Sequence, residues 1–331
     1  MKFKSSLEKV FRSIRSGFCL VLLILISFVI GCAPSEKGTG SINDAPKSNV
    51  DKTRSLRIIS TVPSVTETLF VLGLGDYVVG ISDYCKYPEK ALNLPKIGSL
   101  YDYNTEAIAE LTPDFVVVLK ENDVLPQKLS ALGVETIAVD HSSLEGVLNS
   151  YDVISNRVED LLPGTYERAQ CLRREIEEQI DSIRKSVEDK PKVKTLISIY
   201  RTVGLGKIGE VYVAGHNPYF DSVLEIVGAT NAAGNLSGAS PIITAEGILE
   251  LNPEAILDLS TDGVKYEGEA LKQKYDERVA DWKSLGDSVD AVKKNRVFPI
   301  FEDYATIPGP RTVLFLEELV GILHPDSEER Q

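Results

Sequence analysis

Asn104–Leu119 reads "NTEAIAELTPDFVVVL" and Thr244–Leu259 reads "TAEGILELNPEAILDL". Each stretch opens on a polar residue suited to capping a helix, with a glutamate, Glu106 or Glu246, two residues on. Apolar residues follow at helical spacing, then Pro plus an acid, then an apolar run. An unbroken apolar run is the pattern of a strand covered on both faces. The same helix and strand, written twice in one chain, predict two α/β lobes of like design. In both copies the glutamate falls in the first helical turn, where negative charge is favoured. Helix capping alone would account for it.

The flanking sequence carries the same rhythm. "LRIIS", "VVGIS" and "VETIAVD" read as further strands of the first lobe, and "SVTETLFVLGLG" and "VLPQKLSALG" as helices. Ser64 is expected as the cap of the first of these helices, with Glu67 completing a capping box. The alternation then stops. "TYERAQCLRREIEEQIDSIRKSVEDK" places Ala169, Leu172, Ile176, Ile180, Ile183 and Val187 at three- and four-residue steps, one apolar stripe along a long helix. After Pro191 the pattern restarts with "KVKTLISIY", for which "KIGEVYVAG" is the expected hairpin partner. "RVFPI" reads as a strand, and a closing helix runs to Pro325. The fold class is therefore α/β: two lobes of parallel sheet and helices, with a long helix between them in the chain.

The chain has 331 residues, 43% hydrophobic and 26% charged, an ordinary globular composition. Its first 31 residues are different. Lys2, Lys4, Lys9, Arg12 and Arg15, against Glu8 alone, precede the apolar run "FCLVLLILISFVIGC". A basic region followed by a short apolar one is an export signal. The "VIGC" end resembles a lipoprotein signal-peptidase site, which implies cleavage before Cys32 and lipidation of its sulfur. An uncleaved anchor is the other reading, and both place the rest of the chain outside the cytoplasmic membrane. Residues 32–55 are polar and rich in Ser, Gly, Pro and Lys, the composition of a flexible tether. The expected layout is a leader over 1–31, a tether over 32–55, an N-terminal lobe over 56–143, a helical linker over 144–190 and a C-terminal lobe over 191–325.

Loss of the leader removes five cations and one carboxylate and takes the formal charge from −13 to −17. So acidic a body is unsuited to nucleic acid. Cys85 and Cys171 remain in an oxidising compartment, where pairing is open to them. His141, His216 and His324 are scattered and do not make a metal set. "GLGKIG" at Gly204–Gly209 spells the dinucleotide fingerprint, but a strand-like "EVYVAG" follows where a helix should open, so it reads as a glycine-rich turn. P-loop, nucleophile-elbow and HExxH signatures are missing from the sequence, and no resident cofactor is called for.

The order P-S-x-T-E, G-x-G-D, V-G-I-S, Y-P, N-x-E-x-I and P-D across Pro63–Asp114 resembles the first lobe of periplasmic receptors for cobalamin and ferric siderophores. "VGATNAAG", "TAEGILELNPEAILD" and "WKSLGDSVDAVKKNRVFPIFEDY" extend the resemblance to the second lobe, over about residues 56–325. It implies a non-enzymatic, monomeric, lipid-anchored receptor at the periplasmic or cell-surface side. Such a receptor has two Rossmann-like lobes joined by a single long helix, captures a corrinoid or ferric siderophore in the cleft between them, and hands it to an ABC permease and its ATPase. It also implies that Glu106 and Glu246, one on each lobe tip, pair with permease arginines, whose planar fork suits a carboxylate. Tryptophans of the enterobacterial cobalamin receptor's cleft fall on Leu100, Leu119 and Ser240, so the ligand stays open.

Pockets on such folds form at the carboxyl ends of strands. The expected ligand-facing residues are accordingly Asp83, Tyr84, Tyr101, Tyr103, Tyr200, Arg201, His216, Tyr219, Asp303 and Tyr304. The competing reading is a secreted hydrolase or chelate-modifying enzyme on the same scaffold. It would use His216 with Asp221 or Tyr219.

Overall fold

The apolar runs of the first lobe form a four-stranded parallel sheet. Its elements in chain order are β1 (Ile58–Ser60), α1 (Pro63–Val71), β2 (Val78–Ile81), the small hairpin β3 (Gly98–Ser99) and β4 (Asp102–Tyr103), α2 (Thr105–Glu110), β5 (Phe115–Leu119), α3 (Val124–Ala131) and β6 (Thr136–Val139). The strand order is β2-β1-β5-β6. β1 is wholly buried and β5 nearly so, as their unbroken apolar sequences require. The computed structural model describes residues 55–100, 102–260 and 266–325. The leader, Cys32 and the tether lie outside them, as does Tyr101.

Two helices follow, α4 (Leu144–Val158) and α5 (Thr165–Val187), packed on each other. α5 is the long helix, and Ala169, Ile176, Ile180 and Val187 of its stripe are buried. Arg173 ties it to α4 through Glu145 at 2.8 Å and Asp152 at 3.1 Å.

The second lobe runs β7 (Val193–Arg201), β8 (Val211–Val213), α6 (Pro218–Ile226), β9 (Ala229–Asn231), β10 (Ile242–Ile243), α7 (Ala245–Leu251), β11 (Ala255–Leu259), α8 (Gly268–Lys283), α9 (Asp290–Lys293), β12 (Val297–Ile300) and α10 (Thr312–Leu323). Its sheet is ordered β10-β8-β7-β11-β12, with β9 also on β7. β8 pairs antiparallel to β7, as expected of "KIGEVYVAG", while β9 and β11 pair parallel to it. Pro299 is tolerated in β12 because that strand is an edge.

The two copies of the repeated unit match down to single bonds. Ile108 and Ile248 are each fully buried. Thr112 and Asn252, each just before the proline, take positive φ values of 44° and 38°. The closing acids clamp the first strand of each sheet from its backbone. Asp114 accepts from the Arg57 amide at 2.7 Å and donates its own amide to the Arg57 carbonyl. Glu254 does the same with Lys194, at 2.9 Å and 2.7 Å. The acid after the proline thus extends the sheet pairing by one residue, which explains its repetition.

One expectation needs correction, and one open alternative is decided. Ser64 does not cap α1, whose N-cap is Val62 with Pro63 in the first turn. Ser64 lies within the helix and its hydroxyl meets His141 Nδ1 at 2.8 Å, while Glu67 leaves the helix end for the other lobe. Cys85 and Cys171 are not joined. Cys85 is buried between the hydroxyls of Thr66 at 3.0 Å and Ser82 at 3.3 Å, and burial pushes its thiol pKa up against the opposing pull of those hydroxyls.

Candidate functional site

The carboxyl ends of β7, β11 and β12 enclose a pocket of about 360 Å³. Tyr200 and Arg201 end β7, Val203 follows them, Leu259 ends β11 and Phe301 follows β12. Lys274 and Arg278, one turn apart on α8, form the remaining wall. The pocket lies at strand ends, and its two α8 residues were not among those expected from the sequence. Tyr266 meets Phe301 edge-on, with centroids 5.9 Å apart.

Tyr200 also heads an apolar row. A register shift between Ser198 and Tyr200 turns Tyr200 outward, where it pairs with Tyr212 of β8, which pairs with Ile242 of β10. The two tyrosine rings meet edge to face at 5.8 Å. Tyr200 is 53% exposed, Tyr212 39% and Ile242 49%. Three large, largely apolar side chains open to solvent side by side on one sheet form a contiguous patch rather than scattered exposure.

Beneath the pocket lies a buried ionic cluster. Arg201 donates to Asp258 through Nε and Nη2, at 2.8 Å for Nη2, and to Asp281 through Nη1 at 2.7 Å. Its remaining N–H groups reach the carbonyls of Thr202 and Arg278. Burial pulls its pKa down, but these bonds outweigh it and raise the value. Arg201 therefore belongs to the pocket floor with its donors already committed. Asp281 also accepts the amides of Gly204 and Gly206 at 2.8 and 2.7 Å. These glycines have φ of 81° and 66°, so the "GLGKIG" stretch is a turn wrapped on a buried carboxylate.

Other expected residues divide by exposure. In the first lobe Asp83 and Tyr84 are exposed after β2, Tyr84 at 55%. Tyr103 is half-buried and donates to the Thr61 carbonyl at 3.2 Å. His216 is exposed and 3.7 Å from Asp221. Tyr219, by contrast, is drawn into the core, its hydroxyl on Thr312 at 3.0 Å, and Tyr304 is buried with its hydroxyl donating to Glu318 at 3.0 Å. Asp303 is engaged by Arg311 Nη1 at 2.6 Å. Among the described residues no His, Cys, Asp and Glu group could hold a metal ion.

Glu106 and Glu246 are both exposed on their short helices. Asn104 caps α2 by accepting the Ala107 amide at 2.9 Å. Thr244 instead donates its hydroxyl to Glu246 at 2.7 Å, which lowers the pKa of that carboxyl. Capping in the first lobe is therefore done by Asn104.

The family model for periplasmic binding protein matches residues 58–304, and the chain belongs to that family. Members are extracytoplasmic, non-catalytic substrate-binding proteins of ABC importers, which pass a solute to a permease and its ATPase. The two-lobed α/β architecture is that of this class. The chain is 27% identical to an uncharacterized ABC transporter substrate-binding lipoprotein, YvrC of Bacillus subtilis, over 95% of this chain and 98% of the relative. It is 24% identical to the vitamin B12-binding protein of Vibrio parahaemolyticus, over 83% and 91%. Among solved structures, the periplasmic heme-binding protein RhuT of Roseiflexus sp. RS-1 shares the fold with a TM-score of 0.65 at 23% identity, over 84% of this chain and all of that one. The enzyme alternative is set aside by the family, and its candidate Tyr219 lies in the core.

Proposed function

We propose that this substrate-binding protein captures a large metal chelate, a corrinoid or an iron chelate such as heme or a ferric siderophore. The observation that carries the reading is the Tyr200–Tyr212–Ile242 row running into the pocket. Aromatic faces and apolar edges suit a broad flat ligand. Tyr84 and Asp83 supply the first lobe's side of the site. Relatives named for vitamin B12 and heme bind ligands of this class. The protein acts as a monomer anchored through a lipid on Cys32. It docks on its permease through Glu106 and Glu246.

Titration calorimetry of the full chain in detergent against cyanocobalamin, heme, a ferric trihydroxamate and a ferric catecholate tests the ligand. One of them should bind with micromolar or tighter affinity, and silence to all four would sink the reading. Glu106→Ala with Glu246→Ala should abolish uptake in cells and leave affinity unchanged. Lost affinity would refute the docking role.

A further inference from the structure

Arg311 was not among the residues expected at the site, yet it touches one of them and the loop that carries two more. It stands at the N-cap of α10, whose Phe315, Leu316 and Leu319 are buried, so its backbone is fixed to the second lobe's core. Its side chain is 15% exposed and turns the edge of the guanidinium to two carboxylates. Nε and Nη2 donate to Glu67 of the first lobe, and Nη1 donates to Asp303 of its own lobe at 2.6 Å. The face of the same group meets the Tyr87 ring of the first lobe, with the ring centroid 4.3 Å from Cζ.

Tyr87 closes the segment of residues 82–87, which leaves β2 and carries the exposed Asp83 and Tyr84. The near end of that segment is held within the first lobe. The Asp83 amide donates to the Gly98 carbonyl at 2.9 Å, and Lys96 Nζ donates to the carbonyls of Ser82 and Cys85 at 3.3 and 3.4 Å. Its far end rests on Arg311 of the other lobe. Glu67 alone would satisfy a charge pair between the lobes. The further contacts to Asp303 and Tyr87 link Arg311 to expected ligand-facing positions on both lobes.

We infer that Arg311 is a positioning residue of the ligand site: one guanidinium sets the 82–87 segment of the first lobe, with Asp83 and Tyr84, against Asp303 of the second. The inference rests on the receptor reading above and deepens it, because Asp83 and Tyr84 are the first lobe's side of that site. A planar guanidinium binds carboxylates at its edge while an aromatic ring lies on its face, which a compact ammonium does not match. A segment already held in its binding position loses less freedom when ligand arrives.

The test removes the ring and keeps the ion pair. Tyr87→Phe retains a face for Arg311 and Tyr87→Leu does not, and at 44% exposure neither threatens the fold. Hydrogen–deuterium exchange over residues 82–87 is followed by mass spectrometry on the ligand-free full chain in detergent. Cyanocobalamin, heme, a ferric trihydroxamate and a ferric catecholate are then titrated into each variant. Tyr87→Leu should speed exchange in the segment about fivefold and weaken the chelate that binds by a similar factor, with the melting temperature unchanged. Tyr87→Phe should match wild type in both. On a Glu67→Gln/Arg311→Gln background, which removes both members of the buried pair, Tyr87→Leu should have no further effect on either. Unchanged exchange or unchanged affinity in Tyr87→Leu, a Phe variant as weak as the Leu variant, or a full Tyr87→Leu effect on the double background would overturn the positioning role and leave the receptor reading standing. Silence to all four chelates would sink the ligand class instead, and the exchange comparison, made without ligand, would still decide whether Arg311 orders the segment.

Discussion

Glu67 of the first lobe and Arg311 of the second meet in a bidentate ion pair, Nη2 to Oε1 at 2.5 Å and Nε to Oε2 at 2.9 Å, across 244 residues of sequence. Arg311 also holds Asp303, and the Tyr87 ring of the first lobe lies over its guanidinium at 4.3 Å. Glu67 is 2% exposed. Burial raises its pKa, with Arg311 opposing the shift. The two lobes are thus joined by a charge pair as well as by α4 and α5.

Breaking this pair from one side should be costly, because the other charge stays buried. Glu67→Gln and Arg311→Met are each expected to destabilise by about 3 kcal/mol, and the double variant by clearly less than the sum. Denaturant unfolding in a double-mutant cycle measures this. Additive losses would show that the two residues act separately.

The repeated unit was legible in the sequence because its signals are local: a cap, a helical period, a proline and a buried strand. The strand ends that frame the pocket were legible for the same reason. Glu67 was not, since three residues after Ser64 it imitates a capping box, and its partner is remote in the chain. Lys274 and Arg278 look like the solvated face of a charged helix, and only the sheet beside them makes them a wall. Tyr219 follows Pro218 as a loop tyrosine would. Asn217, however, caps α6 through the amides of Tyr219 and Phe220, at 3.1 Å each, and that turn faces the core.

Asp281 should govern the glycine turn. Asp281→Ala takes one of two carboxylates from Arg201 and the acceptors from Gly204 and Gly206. A stability loss of about 3 kcal/mol is expected. Amide exchange should rise at Gly204 and Gly206 before it rises in β7. Unchanged protection there would mean that the backbone alone holds the turn.

Cys32→Ser should release the protein from the membrane fraction and abolish fatty-acid labelling, with no change in ligand affinity. A variant that stays in the membrane would favour the uncleaved apolar anchor at Phe18–Ile30 over the lipid.

Glu318 should make stability depend on pH. Desolvation raises its pKa to about 7, with the Tyr304 hydroxyl working against the shift and the Glu302 charge adding to it. The unfolded chain releases this proton near pH 4.5, the folded chain near 7, so between those values the folded state holds more protons. Its contribution to stability is therefore present below about pH 4.5 and is lost as pH rises through 7. His141, lowered to about 4 by burial, works in the opposite sense, adding stability as pH rises from 4 to its unperturbed 6.5. The two slopes overlap, so wild type alone cannot separate them. Glu318→Gln keeps the shape and an acceptor for Tyr304 and removes one titration. The melting temperature of this variant relative to wild type should climb steadily from pH 5 to 8, by a few degrees in total. A difference that stays flat across that range would show that Glu318 titrates as an ordinary surface carboxylate.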